Sequence, residues 1–356
     1  MSGLPRRGRG DGQPPARHFD VSPADTIQEM IAAAWRVQAL RTFVTYGCAQ
    51  QFAHYGKMTA GELAARVTAV AAALEPILAA LEPYGVVLRD DASGEYLLGP
   101  AGEYLLPEHP HSMLPAVEWD AVPVVEQAME DLPATTAHGR SAVVEAAGGL
   151  YGYLELRPEH RELFDRTMAG RTSRIAPVVA QREFGDQIVD LGGGVGVLLA
   201  HILRAHPQVR GHLVERAEVA ERAQKYLAAE QGIEGRWQVH GGDIFNPAHI
   251  PLGAPDYLAA SILHNLTDDR AHQLLTAIGR VMAPASRLWL VDMVVPPGGE
   301  PHPGRDLGLR MLGLFGSAER RLDAYNALLT RAGLRVAERI HPLPWGLSLI
   351  VCVRDE

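Results

Sequence analysis

The chain has 356 residues, 47% of them apolar and 21% charged, long enough for two domains with a core each. Its 33 basic residues against 42 acidic ones leave a formal net charge of −9, which argues against nucleic acid as a partner, because phosphate binding needs a basic footprint. Two cysteines, Cys48 and Cys352, make neither a disulfide framework nor a metal set, so no metal and a reduced, cytoplasmic compartment are expected.

Arg6, Arg7, Arg9 and Arg17 lie among glycine and proline with no apolar stretch behind them, which predicts a disordered tail over 1–18 rather than a secretory signal. From 26 to about 55 the pattern is helical, with Ile27, Met30, Ile31 and Trp35 at three-to-four spacing. Thr59-Ala-Gly-Glu62 reads as a capping box before a second helix. A third helix is predicted to begin near Glu75-Pro76, with the proline in its first turn. Val86-Val87-Leu88 and Tyr96-Leu97-Leu98 flank Asp90-Asp91-Ala92-Ser93-Gly94 as a hairpin. Helix, helix, helix, hairpin is the order of a winged helix. Its candidate recognition segment, 66–81, carries one basic residue and its hairpin is acidic, so packing against a partner chain is the better reading than DNA contact.

A helical bridge is expected over 111–181, after which the texture changes. Strand-like runs recur at 187–190, 211–214, 237–239, 257–260, 287–291, 334–340 and 347–353, mostly separated by helical patterns. That alternation means an α/β fold with a parallel sheet and helices on both faces. The last two strands lack an intervening helix, which predicts an antiparallel pair at one edge. The run 347–353 is too short to span a bilayer, so no membrane contact is expected.

The most informative segment is Asp190-Leu-Gly192-Gly193-Gly194-Val-Gly196. It follows a strand and opens a helix, so its glycines let backbone pass close to a ligand. Val197 stands where a dinucleotide fingerprint needs glycine or alanine, which suits a nucleoside without pyrophosphate. Glu215 ends the next strand, placed to accept from both ribose hydroxyls. Gly242-Asp243-Ile244 ends a third, offering an acid to an adenine amino group and an apolar wall to the base.

With Asp190–Gly196, Leu213-Val-Glu215, Gly242-Asp243, Ser261-Ile-Leu-His264 and Gly316-Ser-Ala-Glu319-Arg320 in place, the chain resembles the small-molecule O-methyltransferases of plant phenylpropanoid and bacterial polyketide-tailoring pathways over 26–356. The resemblance implies a winged-helix dimerisation domain over 19–110, the bridge, and a Rossmann-like catalytic domain over 182–356. It implies S-adenosyl-L-methionine as cofactor, held by Asp190, Gly192, Gly194, Gly196, Glu215, Gly242, Asp243, Ile244 and Ser261, and a homodimer acting on a small-molecule acceptor. His264 is the implied general base, flanked by Asp292 and Glu319. Met168, Asn265, Met311 and Phe315 are the candidate acceptor-binding residues.

Two positions depart from the family. Leu266 stands where a tryptophan is usual, and Asn265 where an aspartate is common. The change at 266 keeps an alternative in view, a homologue using the bound cofactor for hydroxylation, decarboxylation or a pericyclic step. A winged-helix regulator that senses a nucleoside is disfavoured by the acidic N-terminal half.

Overall fold

Residues 22–146, 148–337 and 341–355 are described by a computed structural model; the expected tail over 1–18 and the end of the expected strand 334–340 lie outside them. Helix α1 (Pro23–Thr45) opens on a capping box between Ser22 and Asp25. The single helix expected to residue 55 is two, because Gly47 turns the chain left-handed at φ 62° and α2 (Cys48–Tyr55) starts there. The capping box of α3 (Ala60–Val67) forms as read from the sequence: the Glu62 N–H donates to Thr59 Oγ1 at 3.2 Å and the Thr59 N–H to Glu62 Oε2 at 2.8 Å. Helix α4 (Ala71–Leu81) begins earlier than expected, on the strong helix formers Ala71–Ala73, so Pro76 is interior rather than in the first turn. Strands β1 (Val87–Asp90) and β2 (Glu95–Leu98) make the expected hairpin. Met58 exchanges backbone hydrogen bonds with Tyr96 at 2.9 and 2.8 Å, adding a third arm to the wing. This first compact unit closes at Gly102.

The second unit, 103–356, joins the bridge to the sheet. Six helices come first: α5 (Leu114–Asp120), α6 (Pro123–Glu130), α7 (Leu132–His138), α8 (Ala142–Glu145), α9 (Gly149–Glu155) and the long α10 (Pro158–Val179). Then follow β3 (Gln187–Leu191), α11 (Val197–Ala205), β4 (Arg210–Glu215), α12 (Ala217–Ala229), β5 (Trp237–Gly241), β6 (Asp256–Ala260), α13 (Asp268–Val281), β7 (Arg287–Met293), α14 (Pro303–Phe315), α15 (Leu322–Arg331), β8 (Leu334–Val336), β9 (His341–Pro342) and β10 (Leu347–Arg354). The sheet order is β5-β4-β3-β6-β7-β10-β8, with β9 also on β10. The five strands from β5 to β7 pair in parallel, whereas β10 runs antiparallel between β7 and β8. The expected antiparallel edge is therefore there, with the last strand inserted inside it.

Both faces of the sheet are covered, as in most parallel sheets. Ile188, Leu213, Leu258, Trp289 and Val351 pack with α10, α11 and α12 on one face. Val189, Val214, Tyr257, Leu290 and Ile350 pack with α13 and α15 on the other. Chain order reverses between β3 and β6, and the crevice at such a switch point, beyond the carboxyl ends of the strands, is where open α/β sheets bind ligands. No single helix among the described residues is long and apolar enough to cross a membrane.

One buried carboxylate ties the opposite end of the sheet together. Asp256 accepts from Arg287 Nε at 2.8 Å, Trp289 Nε1 at 2.7 Å and the Gly185 N–H at 2.5 Å. Asp256→Ala leaves the indole and guanidinium without their acceptor and is expected to cost about 3 kcal/mol, read as a fall in the urea midpoint with the slope unchanged.

Candidate active site and cofactor cleft

The turn after β3 is built by backbone that only glycine adopts easily. Gly192, Gly194 and Gly196 lie at φ 70°, 59° and 96°. A Cβ on Gly192 would stand 2.6 Å from Ile262 Cδ1 and 3.7 Å from Ile244 Cδ1. That contact brings together the loops after β3, β5 and β6, on either side of the switch point. Gly194 faces open space within 4 Å, while its N–H donates to Glu215 Oε2 at 3.3 Å.

Two buried acids underlie this turn. Both carboxylate oxygens of Asp190 are buried without a hydrogen-bond partner, and burial, reinforced by Glu215, pushes Asp190 up to about 7. Burial also raises Glu215, against the N–H groups of Arg216 and Gly194 and the charge of Arg216. An orphaned carboxyl with no cation beside it fits a ligand that brings hydroxyl and amine donors and positive charge. The other expected cofactor residues are deployed differently. The exposed Asp243 accepts from the Phe245 N–H at 2.9 Å, and its own N–H donates to His249 Nδ1 at 3.0 Å. Gly242 leaves no room for a side chain, since a Cβ would stand 2.9 Å from His249 Cβ. Ser261 holds a left-handed φ of 55°, the kind of strain that marks functional turns.

Beyond β6 the chain makes a one-turn 3-10 helix, Leu263–Asn265, which carries His264. Its Nδ1 lies 2.8 Å from Glu319 Oε1 and 4.0 Å from Asp292 Oδ1. The side chains of Glu319 and Asp292 are 1% and 0% exposed. A carboxylate acceptor assigns the proton to Nδ1 and leaves the Nε2 lone pair free. Burial opposes protonation of His264 most strongly, but the Glu319 hydrogen bond and the charges of Asp292 and Glu319 outweigh it, so His264 is raised above its ordinary value. Burial pushes Asp292 up to about 7, and its Oδ2 accepts the Leu263 N–H at 3.2 Å. Glu319, preceding α15, turns inward to the imidazole instead of capping that helix.

Sequence reasoning gave no role to Arg320, yet it clamps this turn. Its Nη1 and Nη2 donate to the carbonyls of Leu263 and Leu266 at 2.6 Å each, and Nε to Asp268 at 2.9 Å. Ser317 Oγ donates to the His264 carbonyl at 2.5 Å. The signal was adjacency: both residues flank Glu319. Of the four candidate acceptor residues, Asn265 spends its amide donor on the Ser261 carbonyl at 3.1 Å. Met168 is half-buried on α10; Met311 is buried on α14; Phe315, also on α14, packs 6.0 Å from the Tyr151 ring.

A family model described as an O-methyltransferase domain matches residues 122–335. The chain belongs to that family. Phenazine O-methyltransferase PhzM of Lysobacter antibioticus is 32% identical over 93% of this chain and 96% of its own length. The solved SAH-bound form of CalO1, a methyltransferase in calicheamicin biosynthesis, superposes with a TM-score of 0.82 over 94% of this chain and 99% of its own, at 28% identity. Aclacinomycin 10-hydroxylase RdmB of Streptomyces purpurascens is 36% identical over a shorter stretch, 46% of this chain and 44% of that one. The protein is an S-adenosylmethionine-dependent O-methyltransferase.

In this O-methyltransferase the open side of Gly194 generates a test. A methyl group placed there meets no protein atom within 4 Å but costs about 1–2 kcal/mol at positive φ and projects into the cleft. Gly194→Ala is expected to weaken S-adenosylhomocysteine at least tenfold by calorimetry while the protein stays folded. Unchanged affinity would place the cofactor elsewhere.

Proposed function

We propose that this enzyme methylates a hydroxyl on a flat aromatic secondary metabolite, with His264 as general base and Glu319 and Asp292 orienting it. The observation that carries this reading is the Nδ1 contact with Glu319 at 2.8 Å, backed by Asp292 at 4.0 Å, with Nε2 unbonded among the described residues. The phenazine substrate named for the relative supports the acceptor class.

A phenol ionises near pH ~10, so its nucleophilic form is scarce at neutrality. His264 Nε2 accepts the hydroxyl proton as the oxygen attacks, and the imidazolium so formed is stabilised by the Glu319 carboxylate. When bound, S-adenosylmethionine supplies a methyl group on sulfonium sulfur, whose bonding pair returns to sulfur. Asp190, Gly192, Gly194, Gly196 and Glu215 would hold its nucleoside and charged portion, with Ile244 against the base and Gly242, Asp243 and Ser261 at the rim. Met168, Met311 and Phe315 would wall the acceptor, with Asn265 at its edge.

A second reading, cofactor binding without methyl transfer, is favoured by Leu266 in the tryptophan position and by the hydroxylase relative. One assay separates the two. His264→Ala is expected to lower kcat by about a hundredfold to ten-thousandfold, with one cofactor consumed per product in the wild type. Because the base must be unprotonated, kcat/KM should rise with pH through an inflection above the ordinary imidazole value of ~6.5; losing the negative partner in Glu319→Gln should move that limb to lower pH. Turnover with cofactor unconsumed, or full activity in His264→Ala, would sink the reading.

We also propose that the unit ending near residue 102 serves dimerisation, in a cytoplasmic enzyme whose Cys48 and Cys352 stay reduced. Along α1, Ile27, Met30, Ile31 and Trp35 are 57%, 68%, 49% and 63% exposed in one helical stripe, an apolar face suited to a second copy. Light scattering should give twice the 38.5 kDa chain mass, falling to one chain mass in Ile31→Glu/Trp35→Glu.

A further inference from the structure

Two arginines follow the expected ribose acid in the chain, and both turn away from it. Arg216 comes directly after Glu215 and caps α12; Arg222 lies further along that helix. Arg216 gives Glu215 only its backbone, the N–H donating to Oε1 at 2.8 Å. Its guanidinium reaches α9 instead. There Nη1 pairs with Glu155 Oε1 at 2.7 Å, and the guanidinium carbon stands 4.8 Å from the centre of the Tyr151 ring. Tyr151 and Glu155 are four residues apart on α9 and so share one face. Tyr151 is itself fixed, edge-on to Phe164 at 6.4 Å and 6.0 Å from Phe315. Arg222 repeats the pattern, with Nε 2.9 Å from Asp165 Oδ2 on α10. Among the described residues neither guanidinium forms an ion pair with Glu215 or Asp190.

A guanidinium matches a carboxylate with two parallel hydrogen bonds, so Glu215 is the natural partner of the arginine beside it. A carboxylate offers about four acceptor positions, and two of those on Glu215 already take the N–H groups of Arg216 and Gly194. A guanidinium folded back onto Glu215 would use the positions that ribose hydroxyls need. We infer that Glu155 and Tyr151 hold the Arg216 guanidinium away from Glu215 and so keep that carboxylate free for the ribose. This rests on the proposed nucleoside site and adds Glu155 and Tyr151 to it as positioning residues that act through Arg216. The side chains of Arg216 and Glu155 are 42% and 47% exposed, and a pair of that kind is worth a factor of about five at most.

The test titrates the full chain by calorimetry with S-adenosylhomocysteine and with its 2′,3′-dideoxy form, which lacks both ribose hydroxyls. The wild type should prefer the ribose form by about tenfold to hundredfold, the worth of charge-assisted hydrogen bonds. Glu155→Gln should weaken the ribose form by about threefold to fivefold and leave the dideoxy form unchanged. Tyr151→Leu should do the same, while Tyr151→Phe, which keeps the ring, should match the wild type. Arg216→Gln should stay near the wild type, and Glu155→Gln/Arg216→Gln should recover the loss, because no guanidinium remains to fold back. A loss in Arg216→Gln as large as in Glu155→Gln, no recovery in the double variant, or equal losses for both ligands overturns the inference. A wild-type preference that Glu155→Gln leaves intact overturns it alone; no preference in the wild type overturns it together with the ribose role of Glu215.

Discussion

Two carboxyl groups stripped of water beside one imidazole form the constraint on which the rest of the site depends. Such an arrangement costs least where the groups and the surrounding backbone satisfy one another, and here Asp292 Oδ1 and Glu319 Oε2 stay buried without a hydrogen-bond partner. Here the turn bearing His264 is pinned from several directions. Asp292 takes the Leu263 N–H, Arg320 covers the carbonyls of Leu263 and Leu266, and Ser317 covers that of His264. The imidazole thus has one orientation available, with Nδ1 toward the acids. The strand β7 that carries Asp292 is held between β6 and the antiparallel β10, so the acid sits on a rigid element, as a site of this kind needs.

The switch point divides the edge of the sheet into two electrostatic environments. On the β3–β4 side, Asp190 and Glu215 form a negative floor, and Asp190 has no cation of its own. On the β6–β7 side, Asp292 and Glu319 are balanced by His264, with Arg320 holding the turn that carries it. A donor with positive charge belongs on the first side. An acceptor hydroxyl that gives up its proton under the proposed reaction would meet the second. The sequence order of the loops places these two environments next to each other.

Much of this was legible because it depends on local spacing. Asp190 to Gly196, Glu215 at the next strand tip and His264 at the end of β6 fall in chain order on the carboxyl edge. What stayed hidden depends on tertiary packing. The break at Gly47 lay inside an unbroken helical periodicity, which reports the buried face and is blind to one left-handed residue. Pro76 reads in sequence as a start signal, but the alanines before it carry the helix through. Arg320 stands in the Gly316–Arg320 motif with no role that spacing alone assigns, because its donors reach backbone 54 and 57 residues away. Asp243 and Asn265 each also make a hydrogen bond within their own loop, a local contact that spacing alone does not reveal.

At Leu266 the backbone and the side chain do separate work. The side chain of Leu266 packs against the core formed by α13, α15 and the sheet, whereas Arg320 is received by its backbone carbonyl at 2.6 Å. Any residue at 266 offers that carbonyl, so exchanging the family's tryptophan for leucine leaves the clamp on the His264 turn intact. The exchange leaves the contacts among Glu319, His264 and Asp292 to side chains other than that of residue 266. The hydrogen bonds that fix this turn are made by its backbone, and the side chain at 266 can vary while they are kept.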